Sequence, residues 1–302
     1  MHHHFIDRFA MGDSPVHRLD ARAKLAAVLA YSVVLISFHR YAVAELAPLA
    51  VLPLAMLWFG RVPVWFALRR VAILSPFILM LVAVSLDGKI APKRRPGQAN
   101  PVGPSLIGPE IMKLHNQQRA SADAIMVGLN CILLDDSRLT LRHGTGRNPT
   151  RIVLDGLAEI PLKAKVLGAD APTIVAVTRD APDERLAALQ RRGARIVTAG
   201  RGRFVNLPQL MNLLYEDCGI RRLLVEGGGT VHRSMIAAGL YDELHLILCP
   251  FVIGGASSIT PVQRNAFWPR GEVPKYRLER ADRHGDYLYI VYRRDGARGR
   301  IS

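Results

Sequence analysis

The stretch Leu223-Leu224-Val225-Glu226-Gly227-Gly228-Gly229-Thr230 decides the fold. A short apolar run ends on an acid, three glycines follow, and residues 231–238 carry the periodicity of a helix. Strand, glycine turn and helix in that order make the unit from which α/β folds are built. Such folds bind ligands where the strand gives way to the helix. Glycine lets the backbone approach a ligand closely, and the free amides at a helix N-terminus favour an anion. The turn therefore reads as a phosphate or pyrophosphate site, with a purely structural turn as the alternative. It is not a Walker loop, because no Gly-Lys-Ser/Thr follows, and it lacks the Gly-x-Gly-x-x-Gly spacing of the Rossmann fingerprint. Glu226, at the carboxyl end of the strand, is placed to accept hydrogen bonds from a polar substrate.

The same alternation runs outward in both directions. Strands are predicted at residues 77–85, 123–128, 151–154, 173–178, 195–198, 223–225 and 243–249, and helices at 109–121, 183–192, 207–218 and 231–238. Residues 276–280 and 287–293 read as a closing hairpin. The expectation is an α/β fold with a mostly parallel sheet and a C-terminal antiparallel hairpin, preceded by an apolar helical segment. Asp87 ends the first strand and either caps the turn that Gly88 permits or belongs to the site. Asp135 and Asp136 are neighbours that point apart in a helical turn, with no third ligand at metal spacing. Arg142, Arg147 and Arg151 cluster where guanidinium recognition of phosphate is plausible; a solvated basic loop is the alternative.

Half of the 302 residues are apolar and the formal net charge is +15. The eight Lys/Arg and four Asp/Glu up to Met80 leave both parts of the chain basic. Such a balance suits phosphorylated small molecules or a nucleic-acid backbone. The basic residues after Asp87 are spread over loops and helix faces without interleaved aromatics, so nucleic acid is set aside. Cys131, Cys218 and Cys249 show no metal or redox spacing, and no metal is expected. Nor is a zinc-deaminase signature present.

Six motifs, in order, carry a resemblance: AVSLDGKIA at 83–91, RASADAIMVG at 119–128, LDDSRLTLR at 134–142, RIVLD at 151–155, LVEGGGT at 224–230 and GLYDEL at 239–244. The span resembles the reductase domain of riboflavin biosynthesis, which has a dihydrofolate-reductase-like fold. The resemblance implies NADPH as cofactor, a ribosylamino-pyrimidine 5′-phosphate as substrate, and reduction of its ribosyl group to ribityl. Both the deaminated uracil and the diamino-pyrimidinone remain open as substrate. It further implies cofactor contacts at Ala83, Asp135, Gly228, Gly229, Thr230 and Val231, and substrate contacts at Ser105, Arg119, Leu139, Arg142 and Glu226. Cys131 stands beside the cofactor where the family usually has threonine, and Arg138 beside a usual proline. Asp135 and Glu226 are the candidate catalytic residues, with Asp135 or a water handling the proton. A homodimer is implied as well. A related NADPH reductase of another pteridine- or pyrimidine-like compound is the alternative.

Residues 1–76 differ in character. The apolar stretches 25–38 and 42–59, divided by His39 and Arg40, read as a membrane hairpin, each slightly short of the ~20 residues that span a bilayer. Arg18, Arg22 and Lys24 precede it and Arg61, Arg69 and Arg70 follow, which places both ends in the cytoplasm. Two buried core helices are the alternative. The opening Met1-His2-His3-His4-Phe5-Ile6-Asp7-Arg8, with Gly12-Asp13-Ser14-Pro15 and His17-Arg18-Leu19-Asp20, resembles the transmembrane subunit of cobalt-type energy-coupling-factor transporters. A transport component with an inert appendage is thus a further reading of the chain. Residues 71–86 are either a third span or, in their second half, the first strand of the reductase domain, 77–302. The passage into Leu86-Asp87-Gly88-Lys89 favours the strand. Two spans keep the catalytic domain cytoplasmic, anchored to the inner face of the membrane.

Overall fold

The computed structural model describes residues 77–96, 98–102, 106–142, 146–263, 267–269 and 272–294, together with Asp20, Tyr31 and Phe59. The chain divides into two units, Met1–Ser75 and Pro76–Ser302. In the first, Tyr31 and Phe59 are helical. The expected membrane hairpin otherwise lies outside the described residues, as does Ser105. Among the described residues no helix is long and apolar enough to cross a membrane.

The second unit is built on one sheet. Its strands are β1 (Phe77–Ser85), β2 (Ala124–Gly128), β3 (Thr150–Leu154), β4 (Thr173–Val177), β5 (Arg195–Thr198), β6 (Arg222–Gly227), β7 (Glu243–Cys249), β8 (Tyr276–His284) and β9 (Tyr287–Arg294). Among the described residues five α-helices join them: α1 (Pro109–Ala120), α2 (Leu129–Asp135), α3 (Asp183–Arg191), α4 (Leu207–Glu216) and α5 (Gly229–Ala237). The strand order is β5-β4-β3-β2-β6-β1-β7-β9-β8. Pairing is parallel from β5 through β7, and β9 runs antiparallel between β7 and β8.

β1 explains the ambiguous apolar run. Ile78, Met80 and Val82 face one core layer and Leu79 and Leu81 the other, all of them buried. Side chains alternate along a strand, so one covered on both faces is apolar at every position. Parallel pairing with β6 on one side and β7 on the other completes its burial.

Three elements depart from the sequence reading. β8 extends to His284, four residues beyond the expected end. It is the exposed edge of the sheet, and Arg277, Glu279, Arg280 and Arg283 give it no apolar alternation to read. α5 begins at Gly229, because the helix takes in glycine amides that periodicity cannot detect. α4 stops at Glu216, two residues before the expected end at 218.

Candidate active site

The ends of β1, β2, β3 and β6 open on a cavity of about 820 Å³, within the range of small-molecule sites. Every described residue that the family resemblance implies at the site lines it: Ala83, Arg119, Cys131, Asp135, Leu139, Arg142, Glu226, Gly228, Gly229, Thr230 and Val231.

Glu226 reaches the cavity through an irregularity of its strand. Met126 pairs with Val225 and Val127 with Gly227, so Glu226 has no partner residue on β2. Such a bulge re-aims a side chain. Arg119 of α1 then takes the carboxylate in a fork, its Nε 2.7 Å from Oε1 and its second terminal nitrogen 2.6 Å from Oε2. Two parallel charge-assisted bonds of this kind are among the strongest polar contacts a protein makes. His115 adds its Nε2 at 3.2 Å from Oε1. Burial pushes the Glu226 carboxyl up, but Arg119 and His115 more than reverse this and hold it well below the usual carboxylate range. Glu226 is therefore an acceptor at neutral pH and has no proton to give.

The remaining arginine contact ties helix to loop. Arg119 donates to the Thr140 carbonyl at 2.7 Å, and the amide of Arg142 donates to Asn116 Oδ1 at 3.0 Å. Just before them Leu139, buried, takes φ 55, a left-handed conformation costly for a bulky residue. Among the described residues the Arg142 guanidinium has no hydrogen bond or ion pair. Burial and, to a lesser degree, the neighbouring Arg119 lower its pKa, with Glu226 opposing them.

The glycine turn forms the cavity floor beside this cluster. A Cβ on Gly229 would lie 2.4 Å from the Thr260 carbonyl oxygen, and one on Gly128 would lie 2.8 Å from the Val231 side chain. Only glycines allow α5 to enter this close to the neighbouring backbone and to the start of α2. Gly228 caps α5 without a side-chain bond, which leaves the first amides of the helix for a ligand. The Cys131 sulfur lies 3.6 Å from where a Gly228 Cβ would stand. Burial, with Asp135 nearby, pushes this thiol up to about 12, so it packs the turn and is no nucleophile. Behind the turn His232 is buried, its Nδ1 2.6 Å from the Tyr241 hydroxyl. Burial holds it down to about 4, against a weaker opposing pull from Glu226.

Asp135 and Asp136 do point apart. Arg94, from the loop after β1, places a guanidinium nitrogen 2.7 Å from Asp135 Oδ1 and donates to the Gln98 carbonyl. Asp136 accepts from the Lys165 amide at 2.9 Å and lies outside the cavity. No group of three or more metal-ligating side chains occurs among the described residues.

Two expectations are corrected here. Arg151 is fully buried, and its guanidinium is spent on the carbonyls of Gly168 and Ala171, so it binds the chain's own backbone and no phosphate. Arg147 is exposed and does not line the cavity. Asp87 resolves as a loop clip. It accepts from Ser85 Oγ at 2.6 Å and from the amides of Ile253 and Gly254, and these bonds bring its carboxyl down to about 2. His115 and Arg94 were missed. His115 stands one turn before Arg119 on the same helix face, a spacing open to reading. Arg94 sits in a Pro/Gly-rich loop that carries no periodicity.

Residues 76–285 match the RibD C-terminal domain. The chain is 36% identical over 223 residues to the 2,5-diamino-6-ribosylamino-4(3H)-pyrimidinone 5′-phosphate reductase of Methanothermobacter thermautotrophicus, covering 72% of this chain and 98% of that protein. The reductase of the same name from Archaeoglobus fulgidus is 34% identical over 230 residues, covering 73% and 99%. Among solved structures, RibD of Acinetobacter baumannii superposes with a TM-score of 0.59 at 21% identity, covering 73% of this chain and 58% of that one. The architecture is the expected dihydrofolate-reductase-like α/β fold.

Proposed function

We infer from the RibD C-terminal domain family, to which this chain belongs, that it is a riboflavin-pathway reductase using NADPH. The reaction proposed is reduction of the ribosyl side chain of a ribosylamino-pyrimidine 5′-phosphate to ribityl. The observation that carries this reading is the convergence in one cavity of a carboxylate fixed by Arg119, an uncommitted Arg142, and a glycine turn opening a helix. The diamino-pyrimidinone is the favoured substrate, because the proteins similar over nearly their whole length carry that name.

A dinucleotide fits the turn. Gly229 lets the start of α5 pass against the Thr260 carbonyl, and the amides of Thr230 and Val231 sit at the entry to α5. Gly228, Gly229, Thr230 and Val231 would hold the pyrophosphate, with Ala83, Cys131 and Asp135 along its path. Bound there, the cofactor supplies the hydride that goes to C1′ of the ring-opened substrate.

The chain's own residues do the rest. Arg142, whose guanidinium has no partner among the described residues, takes the substrate phosphate, while Arg119 stays on Glu226. Glu226 accepts hydrogen bonds from the substrate and fixes its orientation, and Leu139 packs against it. Ser105 is proposed as a further substrate contact. Hydride addition leaves the substrate nitrogen short of a proton. Asp135 Oδ1 is held by Arg94 while no bond to Oδ2 occurs among the described residues, so Asp135 or a water on it passes that proton.

The test is NADPH oxidation by the full chain with each pyrimidine. Turnover of the diamino compound ahead of the uracil is expected, and turnover of neither would sink the reading. The proposal extends to residues 1–76. Two apolar stretches with basic flanks support a membrane hairpin like that of the transporter subunit, holding the reductase at the inner face of the cell membrane. Assembly as a homodimer through the reductase domain rests on the family resemblance. Sedimentation with and without lipid vesicles reads both: an unchanged monomer would refute the pair.

A further inference from the structure

His115 is the member of the Glu226 cluster that the proposed reaction leaves without a part. It lines the cavity from α1 with its side chain 26% exposed. Its Nε2 stands 3.2 Å from Glu226 Oε1, an oxygen that Arg119 Nε also holds at 2.7 Å. Glu226 is ionised and can only accept, so Nε2 carries the hydrogen of that bond. A partner that fixes one imidazole nitrogen fixes the role of the other. Nδ1 is therefore the nitrogen left to exchange a proton, and it has no partner among the described residues.

The other groups of the cluster cannot do this. Arg119, on the same helix, and Arg142, on the loop after α2, keep their protons at any working pH. Glu226, from β6, has none to give. Burial pushes the Cys131 thiol up to about 12. An imidazole is the side chain suited to give and regain a proton near neutral pH. Position follows from the phosphate. The ring oxygen of a ribose 5′-phosphate is a few bonds from the phosphorus. The amide of Arg142, which takes that phosphate, is held by Asn116 Oδ1 at 3.0 Å, next to His115 on α1. The ring oxygen is thus brought to the part of the wall that His115 occupies.

A closed ribosylamine has no C=N bond for a hydride to reduce, so the ring must open first. We propose that His115 is the general acid that opens the ribose ring, its Nδ1 giving a proton to the ring oxygen. The lone pair of the substrate nitrogen forms the C=N bond to C1′. The bond from C1′ to the ring oxygen breaks with its electron pair on that oxygen, which takes the His115 proton. The N–H proton leaves to Asp135 or its water, which returns it once the hydride has added. His115 regains its proton from solvent, so each turnover takes up one proton with the hydride. This rests on the functional reading above and deepens it.

The experiment follows ring opening without reduction, on the full chain. A ribosylamine interconverts its anomers through the open form. Exchange NMR on the ribosylamino-pyrimidinone 5′-phosphate, with the oxidised cofactor in place of NADPH, therefore reads the step itself. The wild type should speed the exchange about tenfold or more over buffer. His115→Gln keeps an amide that can donate to Glu226 but has no proton to give. It should return the exchange to the buffer rate and lower kcat about a hundredfold, with substrate affinity by calorimetry within about threefold. A histidine that served only to hold Glu226 would show the reverse, with affinity lost and exchange kept. Wild-type exchange in His115→Gln, or none above buffer in the wild type, would overturn the inference, and reduction by the wild type would then leave the functional reading standing. If the wild type exchanges the anomers through His115 yet reduces neither pyrimidine, this assignment stands and the functional reading falls.

Discussion

Glu226 and Glu243 each sit between a histidine and an arginine, and the Glu226 trio is the one that lines the cavity described above. Glu226 meets His115 and Arg119 at the end of β6. Glu243 meets His245 at 2.9 Å and Arg293 at 2.8 Å on β7 and β9. The chemistry of the groups is the same, and both carboxyls are held low by those partners against the opposing effect of burial. The surroundings differ. His245 turns its other nitrogen to the Tyr289 hydroxyl at 2.5 Å, so that trio is closed on itself. In the Glu226 trio the second nitrogen of His115 has no partner among the described residues, and Arg142 stands alongside. A trio of ionisable residues becomes a site when some of its bonding capacity is left for a ligand.

The comparison breaks most sharply at Glu226. Glu226→Gln should lower kcat/KM about a hundredfold, the loss of a charged hydrogen bond to the substrate. Circular dichroism should remain that of a folded protein, and a wild-type rate would remove Glu226 from the site. Glu243→Gln sharpens the contrast from the other side. Its kcat/KM should stay within about twofold of wild type, while the urea midpoint reports a loss of about 1–2 kcal/mol. A large fall in turnover would erase the distinction between the trios.

The smallest effect is in acid. Glu243 has its folded pKa depressed to about 2 from an ordinary 4.5. Its contribution is therefore complete above about 4.5 and is lost as pH falls towards 2. The stability gap between wild type and Glu243→Gln should close over that window. A gap independent of pH there would mean that the carboxylate's charge is not what stabilises the sheet edge.

Much of this was legible in the sequence because β1, β6 and the glycine turn combine apolar runs with a glycine cluster that few conformations satisfy. The six motifs brought every described site residue they implied to one cavity wall. Arg151 was misread for a physical reason. Its partners are main-chain carbonyls some twenty residues on, and a carbonyl has no signature in sequence. The two Glu-His-Arg trios were hidden as trios, since each joins two residues of one element to a third from a distant one. β8 beyond Arg280 was lost because an edge strand covered with charge looks like a loop.

β1 is the strand made first and used in the middle. It lies between β6 and β7, with Phe77 opposite Arg222 and Leu79 opposite Glu243. During synthesis it leaves the ribosome about 145 residues before either neighbour exists. Until then nine residues, apolar except for the last, have no edge to pair with. Closing so long a loop is slow, and the waiting segment is aggregation-prone. Cotranslational folding of this chain is thus governed by how its first strand is sheltered until the second half of the sheet arrives.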